Sequence, residues 1–160
     1  MLSRLDSTDI RLLKLLQENA RLTNKELGEK LHKSASTISE RIRRMQEEGY
    51  IRKYVAILDH KMIDRELMGF THVQLRDHSK ETLIHFEKEI IKFPEVLECY
   101  HMSGQYDFIL RVAVKDLRAY HDFLMNHLFE TVPMGSIQST FVMREAKVET
   151  AFPIEEKKIR

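Results

Sequence analysis

Residues Ser34 to Met45 read SASTISERIRRM, a run that opens on hydroxyls and ends among guanidiniums. Ser34 suits an N-cap, because a serine hydroxyl accepts a bond from a backbone N–H that the first helical turn leaves unpaired. Beyond it Ala35, Ile38, Ile42 and Met45 recur at i, i+3, i+7 and i+10, which predicts one apolar stripe of a helix. Ser36, Thr37, Glu40, Arg41, Arg43, Arg44 and Glu47 fill the other side. Half of this helix belongs to a core, and half is offered to something polar and anionic. In isolation the pattern also fits an ordinary solvated helix laced with Glu–Arg pairs.

The residues on either side decide between these. Upstream, "LTNKEL" places Thr23 and Glu26 in a capping box with Leu22 free to staple onto Leu27, so a second helix runs from there to about Leu31. A helix before it opens at Asp6, with Leu5 and Ile10 as the staple and Ile10, Leu13 and Leu16 as the inward stripe. Gly49 suits the left-handed position that closes the third helix. The short break between the second and third helices is helix-turn-helix spacing. Past Gly49, "YIRKYVAIL" is β-branched and aromatic enough for a strand, a wing or connector, and residues 59–66 read as a polar linker.

From Leu67 the pattern becomes a β-α-β unit that occurs twice. "LMGFTHVQL", "SKETLIHFEKEIIKF" and "VLECYHM" give strand, helix and strand; "FILRVAV", "DLRAYHDFLMNHLFE" and "SIQSTFVM" repeat the series. Leu83, Phe86 and Ile90 point the first helix inward, and Leu117, Tyr120, Leu124 and Leu128 the second. Pro94 and Pro133 end both helices at the same point of the repeat. The expected fold is α+β: residues 1–60 a winged helix-turn-helix, 61–66 a linker, 67–147 a ferredoxin-like βαββαβ domain and 148–160 a tail. Phe108, Leu110, Val112 and Val114 face one way along their strand, Ile109 and Ala113 the other. An apolar second face predicts a partner, and a face-to-face homodimer is the simplest one.

Composition bounds the rest. Residues 1–60 carry 12 basic and 9 acidic side chains, residues 61–160 carry 14 and 16, so the positive bias lies with the opening helix. One cysteine, Cys99, excludes an intrachain disulfide. No apolar run is long enough to span a bilayer, and the first residues are unlike a signal peptide, which leads to the expectation of a cytoplasmic protein. Eight histidines raise the question of a metal, yet His121 and His127 are about 240° apart on a helix and His85 with Glu89 has no second cluster. No nucleophile–base set or phosphate-cradling glycine loop stands out, and no cofactor is implied.

With "LDSTDIRLLKLLQENAR", "LTNKELGEKL", "SASTISERIRRMQEEGYIRKYVAILD" and "MSGQYDFILRV" in this order, the chain resembles the Lrp/AsnC ("feast/famine") transcriptional regulators over nearly its whole length. The resemblance implies a DNA-binding domain followed by one that dimerises, assembles to tetramers or octamers, and senses an amino acid. The turn departs from the family's usual glycine plus apolar residue, holding His32 and Lys33, and Ala35 replaces a common proline. Short side chains at the start of the reading helix suit the major groove, so Ser36, Thr37, Ser39, Glu40 and Arg43 are expected at base edges. Arg41, Arg44, Arg52 and Lys53, with the N-cap Ser34, are expected at phosphates.

The "SGQYD" loop is the family's effector segment, which carries Gly104, Gln105, Tyr106 and Asp107 over as effector contacts. Asp107 would meet an α-ammonium and loop N–H groups an α-carboxylate. Leu117, Thr140 and Val142 are added as walls of the side-chain pocket. On the residues alone, the same loop reads first as a tight hairpin with a capping aspartate. Two other readings stay open: a tetrapyrrole decarboxylase of the sirohaem type, which looks similar and keeps the two-domain layout, and a stand-alone amino-acid-binding module.

Overall fold

The computed structural model describes residues 5–155 and divides the chain into two compact units, one up to Ala56 together with the residues from Lys147 on, the other Ile57–Ala146. The first unit is built from α1 (Ser7–Glu18), α2 (Asn24–Leu31) and α3 (Ala35–Glu47). Each is capped as its sequence dictates. The Asp9 N–H donates to Asp6 Oδ1 at 2.8 Å while Asp9 returns its carboxylate to the Asp6 N–H. Glu26 and Thr23 make the reciprocal pair on α2, and the Thr37 N–H donates to Ser34 Oγ on α3. Leu12, Leu27, Ile38 and Met45 form the centre of the core, with Leu5, Ile10, Leu16 and Leu31 around them. Two expected core positions differ. On α1 the inward stripe is rotated so that Leu12 is sealed and Leu13 only half-buried, because Asp9 takes an inner position; Ala35 is exposed, the α3 stripe beginning one turn later at Ile38.

The expected strand over residues 50–58 is not in a sheet among the described residues. Tyr54, Val55, Ile57 and Leu58 have β-prone side chains but no neighbouring strand to pair with, and they are exposed. Strand propensity needs a ladder to be expressed. The expected linker is also more ordered than its polarity suggests. His60–Ile63 forms a 3₁₀ turn, and His60 bridges the Arg65 carbonyl at 2.8 Å and Glu145 at 3.2 Å, which joins this stretch to the second unit. The tail instead returns to the helices: Gln17 Nε2 donates to the Phe152 carbonyl at 3.1 Å, the Phe152 N–H donates to Gln17 Oε1 at 2.8 Å, and Ile154 packs on the helical core.

In the second unit β1 (Leu67–Leu75), β2 (Val96–His101), β3 (Phe108–Val114) and β4 (Met134–Phe141) form one antiparallel sheet in the order β2-β3-β1-β4, the ferredoxin-like arrangement. Alternation along the strands sends Val73, Leu75, Phe108, Leu110, Val112 and Val114 under the helices. There they meet Phe86 and Ile90 of α4 (Lys80–Ile90) and Tyr120 and Phe123 of α5 (Leu117–Phe123), which runs on through a π turn, Leu124–Leu128, to Thr131. Leu117, expected inward, is exposed at the mouth of α5, and Phe123 holds the inner position instead. One buried polar network crosses this core. The Tyr120 hydroxyl meets Thr71 Oγ1 on β1 at 2.6 Å and donates to Ser139 Oγ on β4. Across the sheet the uncovered face mixes Phe70, Ile109 and Tyr100 with a Glu98–Arg111 ion pair at 2.6 Å and a Ser136–Gln74 bond at 2.9 Å.

Two measurements test this account. Tyr120→Phe leaves the Thr71 hydroxyl buried without its partner, so urea unfolding should show a loss of about 1–3 kcal/mol with an unchanged m-value. Asp77 accepts hydrogen bonds from the Ser79 hydroxyl, the Thr82 hydroxyl and the Ser79 N–H, which lower its pKa from 3.8 to about 2. A depressed carboxylate stabilises the fold above pH 3.8 and loses that contribution as pH falls through its folded value. An NMR titration of the Asp77 carboxyl should therefore have its midpoint near 2; a midpoint at the free-chain value contradicts these three hydrogen bonds.

Candidate nucleic-acid interface and effector loop

The helix-turn-helix turn is held by an unusual pair of residues. α2 ends at His32 in the left-handed conformation, φ 54° and ψ 48°, where glycine is the easy choice and histidine is tolerated. The Lys33 N–H donates to the Gly28 carbonyl at 2.9 Å, and a Cβ on Gly28 would lie 2.5 Å from the Lys33 carbonyl oxygen. Gly28, one turn upstream, therefore provides the close approach that lets α3 leave α2 at this angle.

α3 presents its start to solvent. Ser34 Oγ lies 3.0 Å from Ser36 Oγ and 2.8 Å from Thr37 Oγ1, an exposed cluster of hydroxyls at the cap. Ser39 and Glu40 are exposed, and Arg43 reaches along the surface to Glu47 at 2.7 Å, both side chains open to water. Arg52 and Lys53 are exposed just beyond. Arg41 and Arg44 are not where the sequence reading puts them. Arg41 Nη1 donates to Asp6 Oδ2 at 2.6 Å and to Asp9 Oδ1 at 2.7 Å; Arg44 Nη2 donates to Asp9 Oδ2 at 2.5 Å. The hydrogen bonds to Asp6 and then Asp9 raise the Arg41 pKa above the ordinary guanidinium value. Burial pushes the Asp6 carboxyl up, but the hydrogen bonds from Arg41 and the Asp9 N–H outweigh it and leave its pKa lowered. These two arginines tie α3 to α1, where the stripe alone leads one to expect them extended toward phosphates. A helical stripe says which residues share a face; it does not say that a neighbouring helix brings an aspartate to that face.

The loop from Ser103 to Asp107 joins β2 to β3. Gly104 has φ 130°, and open space lies where its Cβ would be. The Tyr106 hydroxyl donates to Gln138 Oε1 at 2.7 Å, and its ring lies 5.3 Å from that of His72. Asp107 is pinned to β1: its N–H donates to the Val73 carbonyl at 2.9 Å, its Oδ2 accepts from the Leu75 N–H at 2.8 Å, and His78 Nε2 lies 3.2 Å away. The hairpin itself is closed by the Met102 N–H donating to the Asp107 carbonyl at 2.8 Å, while the Asp107 side chain serves β1 and not its own turn. Gln105 is exposed beside them. The expected pocket walls are not gathered here. Val142 pairs with Met68, roughly 17 Å along β1 from Val73, and Leu117 follows the same far end of β3; Thr140 sits between, opposite Phe70. Within one chain Leu117 and Val142 do not meet the loop. His72, His78 and Gln138, its actual neighbours, carry no signal in the sequence beyond their places on or beside strands.

The order of the two units matches known proteins. Residues 5–52 match a model described as winged helix-turn-helix DNA-binding, and residues 68–152 match the Lrp/AsnC ligand binding domain. The chain belongs to the Lrp/AsnC family. It is 34% identical to the Bkd operon transcriptional regulator of Pseudomonas aeruginosa over 96% of this chain and 100% of that one. It is 33% identical to the DNA-binding transcriptional activator DecR of Escherichia coli K12 over 94% and 99%. Among solved structures, a transcriptional regulator of Neisseria meningitidis in complex with L-Met has a TM-score of 0.87 and 35% identity, covering 93% of this chain and 96% of its own. As a Lrp/AsnC protein the chain is a DNA-binding transcriptional regulator, which favours that reading over the tetrapyrrole decarboxylase. For the Lrp/AsnC turn described above, Gly28→Ala should cost about 1–3 kcal/mol in thermal or urea unfolding, since the clash is with backbone; a neutral result would show that the turn has room.

Proposed function

We propose that α3 enters the major groove with Ser36, Thr37, Ser39, Glu40 and Arg43 at base edges, while Ser34, Arg52 and Lys53 meet phosphates. The observation that carries this reading is the exposed hydroxyl cluster at a helix start that is itself capped and seated on a sealed core. Short side chains let the helix approach the base edges closely, and Arg43 can exchange its solvated Glu47 partner for a guanine at little cost, because exposed ion pairs are weak.

An amino acid bound at Gly104, Gln105, Tyr106 and Asp107 modulates operator binding or assembly. Asp107 uses Oδ2 for the Leu75 N–H, which leaves Oδ1 for an α-ammonium, and Gly104 gives the carboxylate an unobstructed backbone. The complex of the Neisseria regulator with L-Met supports an amino acid as the ligand class. The mixed open face of the sheet joins two copies, and such dimers assemble further to tetramers or octamers. No catalytic step is part of this reading.

The test has two arms on the full chain. Selection from a pool of randomised duplexes should yield a preferred sequence, and Arg43→Ala should weaken binding to it by tenfold or more. Calorimetry across the twenty common amino acids should find at least one that binds, and Asp107→Ala should abolish its heat. A pool that yields no sequence refutes the groove assignment; silence across all twenty, or binding untouched by Asp107→Ala, refutes the effector site.

A further inference from the structure

The cation count of the reading helix does not match the cations it can offer. α3 carries Arg41, Arg43 and Arg44 within four residues, yet two of the three reach back to the buried carboxylate of Asp9. Asp9 is 1% exposed, and both its oxygens are taken by guanidinium nitrogens of α3 while Oδ2 also accepts from the Asp6 N–H. The Nε atoms of Arg41 and Arg44 are buried and find no hydrogen-bond partner, so the inner edges of both guanidiniums are sealed against the protein. Arg43 pairs only with the solvated Glu47, while Arg41 and Arg44, with side chains 23% and 42% exposed, are committed to the buried Asp9 carboxylate.

We infer that Asp9 is the positioning residue of the reading helix: its buried carboxylate fixes the rotation of α3 about its own axis and withdraws Arg41 and Arg44 from contact with DNA. Two bonds to residues three apart on one helix hold it at two points, which resists rolling as one bond cannot. Rolling matters because an error of one residue's rotation, about 100°, would carry Ser36, Thr37 and Ser39 away from base edges. The arrangement also suppresses indiscriminate binding. Each cation that neutralises a phosphate adds affinity for any sequence, and two fewer such cations leave a larger share of the binding free energy to base contacts.

This inference rests on the groove assignment above and is tested apart from it, using the duplex that the unaltered chain selects from a random pool and a random duplex of equal length. If no sequence is selected, the groove assignment fails, and the role of Asp9 in orienting a reading helix is refuted with it. Given a selected duplex, Asp9→Asn keeps the shape and removes the charge. Its preference for the selected over the random duplex should fall by tenfold or more, with the random duplex bound at least as tightly as before because two cations are released. A partly unfolded protein loses affinity for both duplexes alike, so a preserved preference overturns the inference. Arg44→Gln provides a second measure that does not depend on Asp9→Asn folding. Its affinity for the selected duplex should fall while the slope of log K against log salt stays as in the unaltered chain. A slope shallower by about 0.9 would mean that Arg44 had been meeting a phosphate, and the inference would be wrong.

Discussion

A carboxylate sealed between two helices sets the geometry on which the DNA-binding unit depends. The oxygens of Asp9, buried beside Leu12, Ile38 and Met45, need hydrogen-bond partners there, and α3 supplies two guanidiniums. Buried pairs of this kind add little net stability, because desolvation offsets the attraction, yet removing one partner costs about 3–5 kcal/mol. The value of the arrangement is therefore its intolerance of alternatives. Apolar packing alone would let α3 settle in several rotations of similar energy; a charge that must find two guanidiniums admits one.

The two units use the same device at different strengths. In the sheet, Thr71, Tyr120 and Ser139 tie β1, α5 and β4 through hydroxyls buried in an otherwise apolar layer. Asp107 ties the Ser103–Asp107 loop to β1 through the Leu75 N–H. In each case hydrophobic burial supplies the drive and a small polar network selects one register. The loop is thus rigid where it touches the sheet and open at Gly104, a division suited to a contact that must be specific without deforming the strands.

Much of this was legible in the residues. Capping boxes and N-caps are local, so Thr23 with Glu26, and Ser34 with its first turn, can be placed from the sequence; the duplicated β-α-β pattern gives the first three strands within a residue, while β4 begins and ends two residues earlier than its reading as SIQSTFVM. What escaped depends on distance in the chain. Nothing near Arg41 or Arg44 announces that Asp9 lies opposite, and the inward set on α1 rotated because that aspartate claimed a place that periodicity assigns to leucine. Residues 50–58 have strand composition but no neighbour to pair with. Leu117 and Val142 read as pocket walls in the sequence, but Leu117 follows the far end of β3 and Val142 pairs with Met68 at the far end of β1, so neither meets the loop.

The return of the last residues to the helices has a consequence for biosynthesis. Gln17 and Phe152 are 135 positions apart, and the bonds between them close a loop that contains the whole sheet. Extending such a loop costs little extra entropy once it is long, but the order in which its ends leave the ribosome is fixed. α1, α2 and α3 emerge first and wait; the strands and helices of the second unit follow; only then does the segment bearing Phe152 and Ile154 reach Gln17 and the helical core. The unit that touches the genome is thus finished last, after the sensing unit has been made.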